Sequence, residues 1–228
     1  MRRKHEFITG SIYHIYNRGV RKNKIYNTSS DYKRWEKLLL WSSNYNYPYS
    51  VYLNQLRQFR DEGRGIDVLN HRIENEYKYK TPLVNILAYV EMPNHFHLIL
   101  EQNIDNGITT YMKKLQTAYS MYLNQKYDLS GSVFEGIYKS VPVISDPQLI
   151  QLLKYVLRNP IEASLVSPKD ILTYQWSSVK NYLDNTNYGI ISDDRLPEEL
   201  FNSVKLAKFL LDDNLDFSQL EELTIDNI

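Results

Sequence analysis

The chain has 228 residues, 43% apolar and 24% charged, a size and balance suited to one generous domain, alone or with an appendage. It has no cysteine, which excludes disulfides and thiolate metal sites, and no apolar run that reads as a signal peptide or membrane span. The formal net charge is zero but uneven: residues 1–40 hold ten Lys and Arg against three acids, and residues 184–228 hold three against eleven. A basic front leaves room for a phosphate-binding face, although ordinary solvated charge accounts for the same counts.

Residues 11–18 read as a strand that Gly19 ends. Ser29, Ser30 and Asp31 mark a helix start, with Trp35, Leu38 and Leu39 recurring at helical spacing. Residues 43–80 are polar and Tyr-rich and read as an insertion, with a short helix near Val51–Arg60 broken by Gly63 and Gly65. Tyrosine is the compositional outlier at 20 residues; such side chains can stack on unpaired bases or fill half-buried positions. Leu83–Glu91 and His95–Glu101 read as strands joined by the turn Met92-Pro93-Asn94. After Gly107, Met112, Leu115, Tyr119 and Leu123 predict an amphipathic helix over 108–126.

A β-like run, Tyr138–Ile144, follows. Pro147 then suits the first turn of a helix that runs to about Arg158 and is stopped by Pro160. A short helix is expected over 176–183, and another from about Pro197 to Leu211. The order is strand, helix, strand, strand, helix, strand, then an extra helix. That is an α+β, ferredoxin-like βαββαβ pattern: an antiparallel sheet with helices on one face, an extra tyrosine-bearing helix and a helical C-terminal tail. Residues 1–188 form the main domain in this reading, with 43–80 inserted, and 189–228 an acidic appendage.

On a strand, side chains two apart share a face, so His95 and His97 stand together while Phe96, Leu98 and Leu100 face the helices. The histidine face is then expected to be open. Two imidazoles at this spacing can chelate one cation, although a lone His-x-His is more often a surface pair. The first and third strands are central neighbours in this topology, which could bring His14 near the pair. Tyr155 and Asn159 are four apart on the late helix and can face one site. Asn159 precedes proline, which predicts a non-helical backbone with its amide turned outward. A tyrosine oxygen can attack phosphorus, yet a tyrosine beside Leu152, Leu153 and Val156 is more often a packing residue. Arg18, Lys139, Lys154 and Arg158 could hold phosphates or simply be solvated.

Taken together, Tyr13-His14-Ile15-Tyr16-Asn17-Arg18-Gly19, Met92-Pro93-Asn94-His95-Phe96-His97-Leu98, Tyr155-Val156-Leu157-Arg158-Asn159-Pro160 and Trp176-Ser177-Ser178 resemble the single-tyrosine HUH transposases. The likeness is to the REP-associated tyrosine transposase branch, and covers about residues 10–183 without 43–80. It implies a divalent metal, Mg²⁺ or Mn²⁺, held by His95 and His97 with Asn159 in the position of a polar third ligand, and Tyr155 as nucleophile. It implies a transposase that nicks and rejoins single-stranded DNA at hairpins through a 5′-phosphotyrosine intermediate. It also implies DNA contacts from Arg18, Lys139, Lys154 and Arg158, a cytoplasmic, nucleoid-associated location and no membrane partner; a monomer and a homodimer both fit. The Tyr-rich insertion and the acidic tail depart from the pattern, and Phe134–Lys139 lacks the arginine expected before Tyr138. A domesticated DNA-processing enzyme, a nucleic-acid-binding module that does not cut, and an unrelated metal hydrolase are the competing readings.

Overall fold

The computed structural model describes residues 6–184, 189–212 and 214. Four strands, β1 (Ile12–Arg18), β2 (Val84–Met92), β3 (His95–Gln102) and β4 (Lys139–Val143), form one antiparallel sheet in the order β2-β3-β1-β4. β1 and β3 are the central neighbours, as the βαββαβ order predicts, with Tyr16 opposite His97 and Arg18 opposite His95.

The helices are α1 (Ser29–Asn44), α2 (Tyr49–Asp61), α3 (Ile66–Glu76), α4 (Gly107–Tyr127), α5 (Asp146–Glu162), α6 (Val179–Leu183) and α7 (Ser203–Leu211). α1 begins at a capping box: Thr28 is the N-cap, and the Asp31 carboxylate accepts the Thr28 N–H at 2.8 Å. α1 and α4 pack together on the apolar sheet face, where Trp35 and Phe134 meet Phe96 and Trp35 meets Tyr119. Period-2 alternation decides this, because Tyr13, Ile15, Phe96, Leu98 and Leu100 are all buried on that side.

The other sheet face is not open. α5 lies across it, packed chiefly on β2, with Leu152, Leu153, Val156 and Leu157 buried. The expectation of an exposed histidine face is corrected here: one apolar stripe on α5 is enough to cover a narrow sheet. α5 also passes through Asn159 and Pro160 to Glu162 rather than stopping at Arg158. Pro160 sits in the last turn, so the one i−4 hydrogen bond it removes falls at the helix end rather than in mid-helix.

The 43–80 stretch holds two helices, α2 and α3, where the sequence suggested one. Its tyrosines pack largely on one another and on α1. Trp41 lies against Tyr45, Tyr49 and Tyr52, and Tyr47 against Tyr77. The expected late helix is a 3-10 turn, Glu198–Phe201, followed by α7; Leu200, Leu206 and Leu210 are buried in the same core as the sheet. The rest of the acidic tail, 213 and 215–228, lies outside the described residues. No described helix is long and apolar enough to cross a membrane.

Candidate active site

β1, β3 and α5 bring His14, His97 and Tyr155 together. Neighbouring strands in register place Tyr16 and His97 side by side, and His14 one step diagonally off. His14 and His97 stack with ring centroids 5.0 Å apart, and His14 Nε2 lies 2.8 Å from His97 Nδ1. Tyr155 sets its ring edge-on to both, at 5.8 Å from His97 and 6.4 Å from His14. Tyr155 therefore meets the histidines of its own chain. His14 and His97 are fully buried, Tyr155 is 7% exposed and His95 is half-buried, so His95 marks the accessible end of the group.

Each histidine of the His-x-His pair has its Nδ1 tied. His97 Nδ1 meets His14, and His95 Nδ1 meets Asn94 Oδ1 at 2.7 Å. With Nδ1–H as donor in both, Nε2 is the ring nitrogen left to ligate. His97 Nε2 is buried without a hydrogen-bond partner among the described residues. Burial, then the neighbouring His14 and His95, hold the His97 pKa well below the usual imidazole value, so it stays a neutral, ligating ring. An orphaned, neutral, oriented imidazole nitrogen fits a metal ligand. His14, by contrast, already directs its Nε2 at His97, and no described group of three His, Cys, Asp or Glu forms a ready metal cage. A third protein ligand would have to be of another type.

Asn159 is of that type and shares α5 with Tyr155. Its backbone is helical, however, and its Nδ2 donates back to the Tyr155 carbonyl at 2.9 Å. The predicted outward amide is thus corrected, because the i−4 carbonyl offers a nearer partner; the side-chain oxygen, Oδ1, is the Asn159 atom that could ligate.

Of the four cations, Lys139 is exposed beside Tyr16 on β4. The other three are engaged by the chain itself. Arg18 forms a two-pronged pair with Glu135, its Nη2 at 3.2 Å from Oε1. Lys154 is buried and pairs with Asp212 at 3.1 Å, and Arg158 donates to the carbonyls of Leu210 and Asp212. Two residues that sequence reasoning gave no role also belong to the site. Tyr16 stacks on His97 at 5.9 Å and lies tilted against His14 at 4.9 Å, a neighbour its shared strand face signals. Asn94 holds His95, which its reading as a turn residue concealed.

Comparison with known proteins bears on this constellation. The family model described as "Transposase IS200 like" matches residues 67–159, which include His95, His97, Tyr155 and Asn159. The chain is similar to the IS200-like transposases. The resemblance read from the motifs is thus found independently, and it supports a DNA-processing activity. Among solved structures, a REP-associated tyrosine transposase bound to a REP hairpin shares the fold. The TM-score is 0.50 at 12% identity, covering 78% of this chain and 82% of that one. No curated protein matches the chain.

Proposed function

We propose that the chain is a metal-dependent transposase that nicks and rejoins single-stranded DNA at hairpins, with Tyr155 as nucleophile. The observation that carries this is the buried His97, with Nδ1 held by His14, Nε2 without a hydrogen-bond partner among the described residues, and the Tyr155 ring set perpendicular to it at 5.8 Å. A tyrosine poised on an oriented imidazole pair is what phosphoryl transfer without a nucleotide cofactor requires. The hairpin in the solved relative, and the family to which 67–159 is similar, support the choice of DNA.

In this reading His95 and His97, with Asn159, would hold Mg²⁺ or Mn²⁺, which when bound neutralises charge on the scissile phosphate. The Tyr155 phenol gives up its proton to water and its oxygen bonds to phosphorus. The bond from phosphorus to the 3′ oxygen breaks, and that oxygen takes a proton to leave as a 3′-OH. The 5′-phosphotyrosine retains the energy of the broken ester, so an incoming 3′-OH can reverse the step without ATP. His14 and Asn94 fix the two ring orientations.

The burial of Tyr155 and His97 favours one second reading, a nucleic-acid-binding module that does not cut. A labelled single-stranded hairpin DNA incubated with the protein and Mn²⁺ separates the two. A covalent protein–DNA adduct that is lost in Tyr155→Phe is expected; binding without an adduct selects the module, and cleavage that survives Tyr155→Phe rejects the tyrosine chemistry.

A further inference from the structure

The link from β1 to α1 makes a tight turn directly against the Pro93-Asn94 corner. Gly19 begins it, and a Cβ there would lie 2.1 Å from the Asn23 carbonyl oxygen. Arg21 and Lys22 follow with φ of 55° and 59°, two successive non-glycine residues in the left-handed region. Such backbone is strained and persists only where its surroundings impose it.

The surroundings are explicit. Gly19 N–H donates to the Asn94 carbonyl at 2.7 Å, and Ile25 and Tyr26 N–H both donate to the Pro93 carbonyl. Asn94 Nδ2 donates to the Lys22 carbonyl at 3.3 Å while its Oδ1 meets His95 Nδ1 at 2.7 Å. One side-chain amide therefore joins the turn to the half-buried histidine. Arg21, Lys22 and Lys24 all project from this turn as exposed side chains, and among the described residues none is in an ion pair. The contrast with Arg18, Lys154 and Arg158, which the chain itself engages, is direct.

We infer that the 20–24 turn is a phosphate-holding element: Arg21, Lys22 and Lys24 grip the backbone of the DNA strand as it runs to His95, in a register that Asn94 fixes. The inference rests on the proposed DNA-processing function and names the part of the chain that carries its charge-driven hold on the strand. Rigid placement favours this role, since cations held on a strained, pinned turn keep their spacing while phosphates exchange for counterions.

The test is fluorescence-anisotropy titration of a labelled DNA hairpin with a single-stranded flank, over a series of KCl concentrations. The wild-type chain is compared with R21Q/K22Q/K24Q, and with a charge-matched control, K113Q/K169Q/K205Q, drawn from exposed lysines elsewhere. The turn variant is expected to bind at least about tenfold more weakly at low salt. Its slope of log affinity against log salt should flatten by roughly 0.7–0.9 for each phosphate that is no longer neutralised. Mn²⁺ binding and circular dichroism should match wild type. A slope and affinity equal to wild type, or a weakening that the control reproduces, overturns the inference while leaving the adduct chemistry standing. Failure of the wild-type chain to bind the DNA at all overturns both.

Discussion

His14 Nε2 and His97 Nδ1 face each other at 2.8 Å across the β1–β3 boundary, both side chains fully buried. A ring nitrogen held in this way fixes the tautomer and direction of the other nitrogen. Removing such a partner typically weakens metal binding by about 10- to 100-fold. His14→Leu should therefore lower Mn²⁺ affinity, read by electron paramagnetic resonance, by that factor. His14→Gln, whose amide can reach the place of Nε2, should recover most of it. Equal affinity in wild type and His14→Leu would show that His14 only fills space.

Gly19 has no room for a side chain, because an added Cβ would also come within 2.9 Å of the Ile25 side chain. Gly19→Ala must push the Asn23 carbonyl and the Ile25 side chain out of place, and so distort the turn that Pro93 and Asn94 hold. Overpacking of this kind costs about 1–3 kcal/mol, measurable as a lower urea midpoint, with weaker hairpin binding alongside it. An unchanged midpoint would contradict the packing.

Arg158 serves α7. Its Nη1 donates to the carbonyls of Leu210 and Asp212 at 3.1 Å each, at the C-terminal end of that helix. Arg158→Ala should speed amide hydrogen exchange across 203–211, with a local destabilisation of about 1 kcal/mol. Exchange unchanged in α7 alongside a large fall in DNA affinity would restore Arg158 to the role first expected of it.

Asp31 is a fully buried carboxylate. Burial works to raise its pKa, but hydrogen bonds from Lys126, Tyr127, the Thr28 backbone and Tyr122 outweigh it, and the net shift is downward. The folded value lies below the unfolded one, so this contribution to stability is full above about pH 4 and lost as pH falls further. Asp31→Asn should lose about 3 kcal/mol at pH 7, with a smaller deficit at pH 3. A deficit that does not shrink on acidification would exclude the charged network as its source.

Tyrosine supplies the alkaline limit. Burial pushes the hydroxyls of Tyr26, Tyr89, Tyr111, Tyr119, Tyr174 and Tyr182 well above the usual value and that of Tyr32 up to about 12. The unfolded chain loses these protons near pH 10 while the folded chain keeps them, so stability must fall as pH rises above about 10. Absorbance at about 295 nm, the tyrosinate band, should show the exposed tyrosines ionising first and the buried set following in one cooperative, unfolding-linked step. A single smooth titration of all the tyrosines with the fold intact would refute that burial.

What the sequence determined by itself was local and periodic. Alternation along Tyr13–Arg18 and His95–Glu101 was enough to separate a histidine face from an apolar one, and the order of elements was enough to make β1 and β3 neighbours. A few short motifs sufficed to suggest the family to which residues 67–159 are similar. Tertiary structure decided whatever depended on which side chain reaches which partner. Strand pairing alone could put His14 near His97, but only the register and packing made it that ring's hydrogen-bond partner. The apolar stripe of α5 was legible, while its docking on the histidine face was not, because two sheet faces compete for one helix. The cations were the least legible of all. Arg18, Lys154 and Arg158 are long, flexible side chains whose fate depends on whether a distant acid or carbonyl lies within reach, and Glu135, Leu210 and Asp212 do.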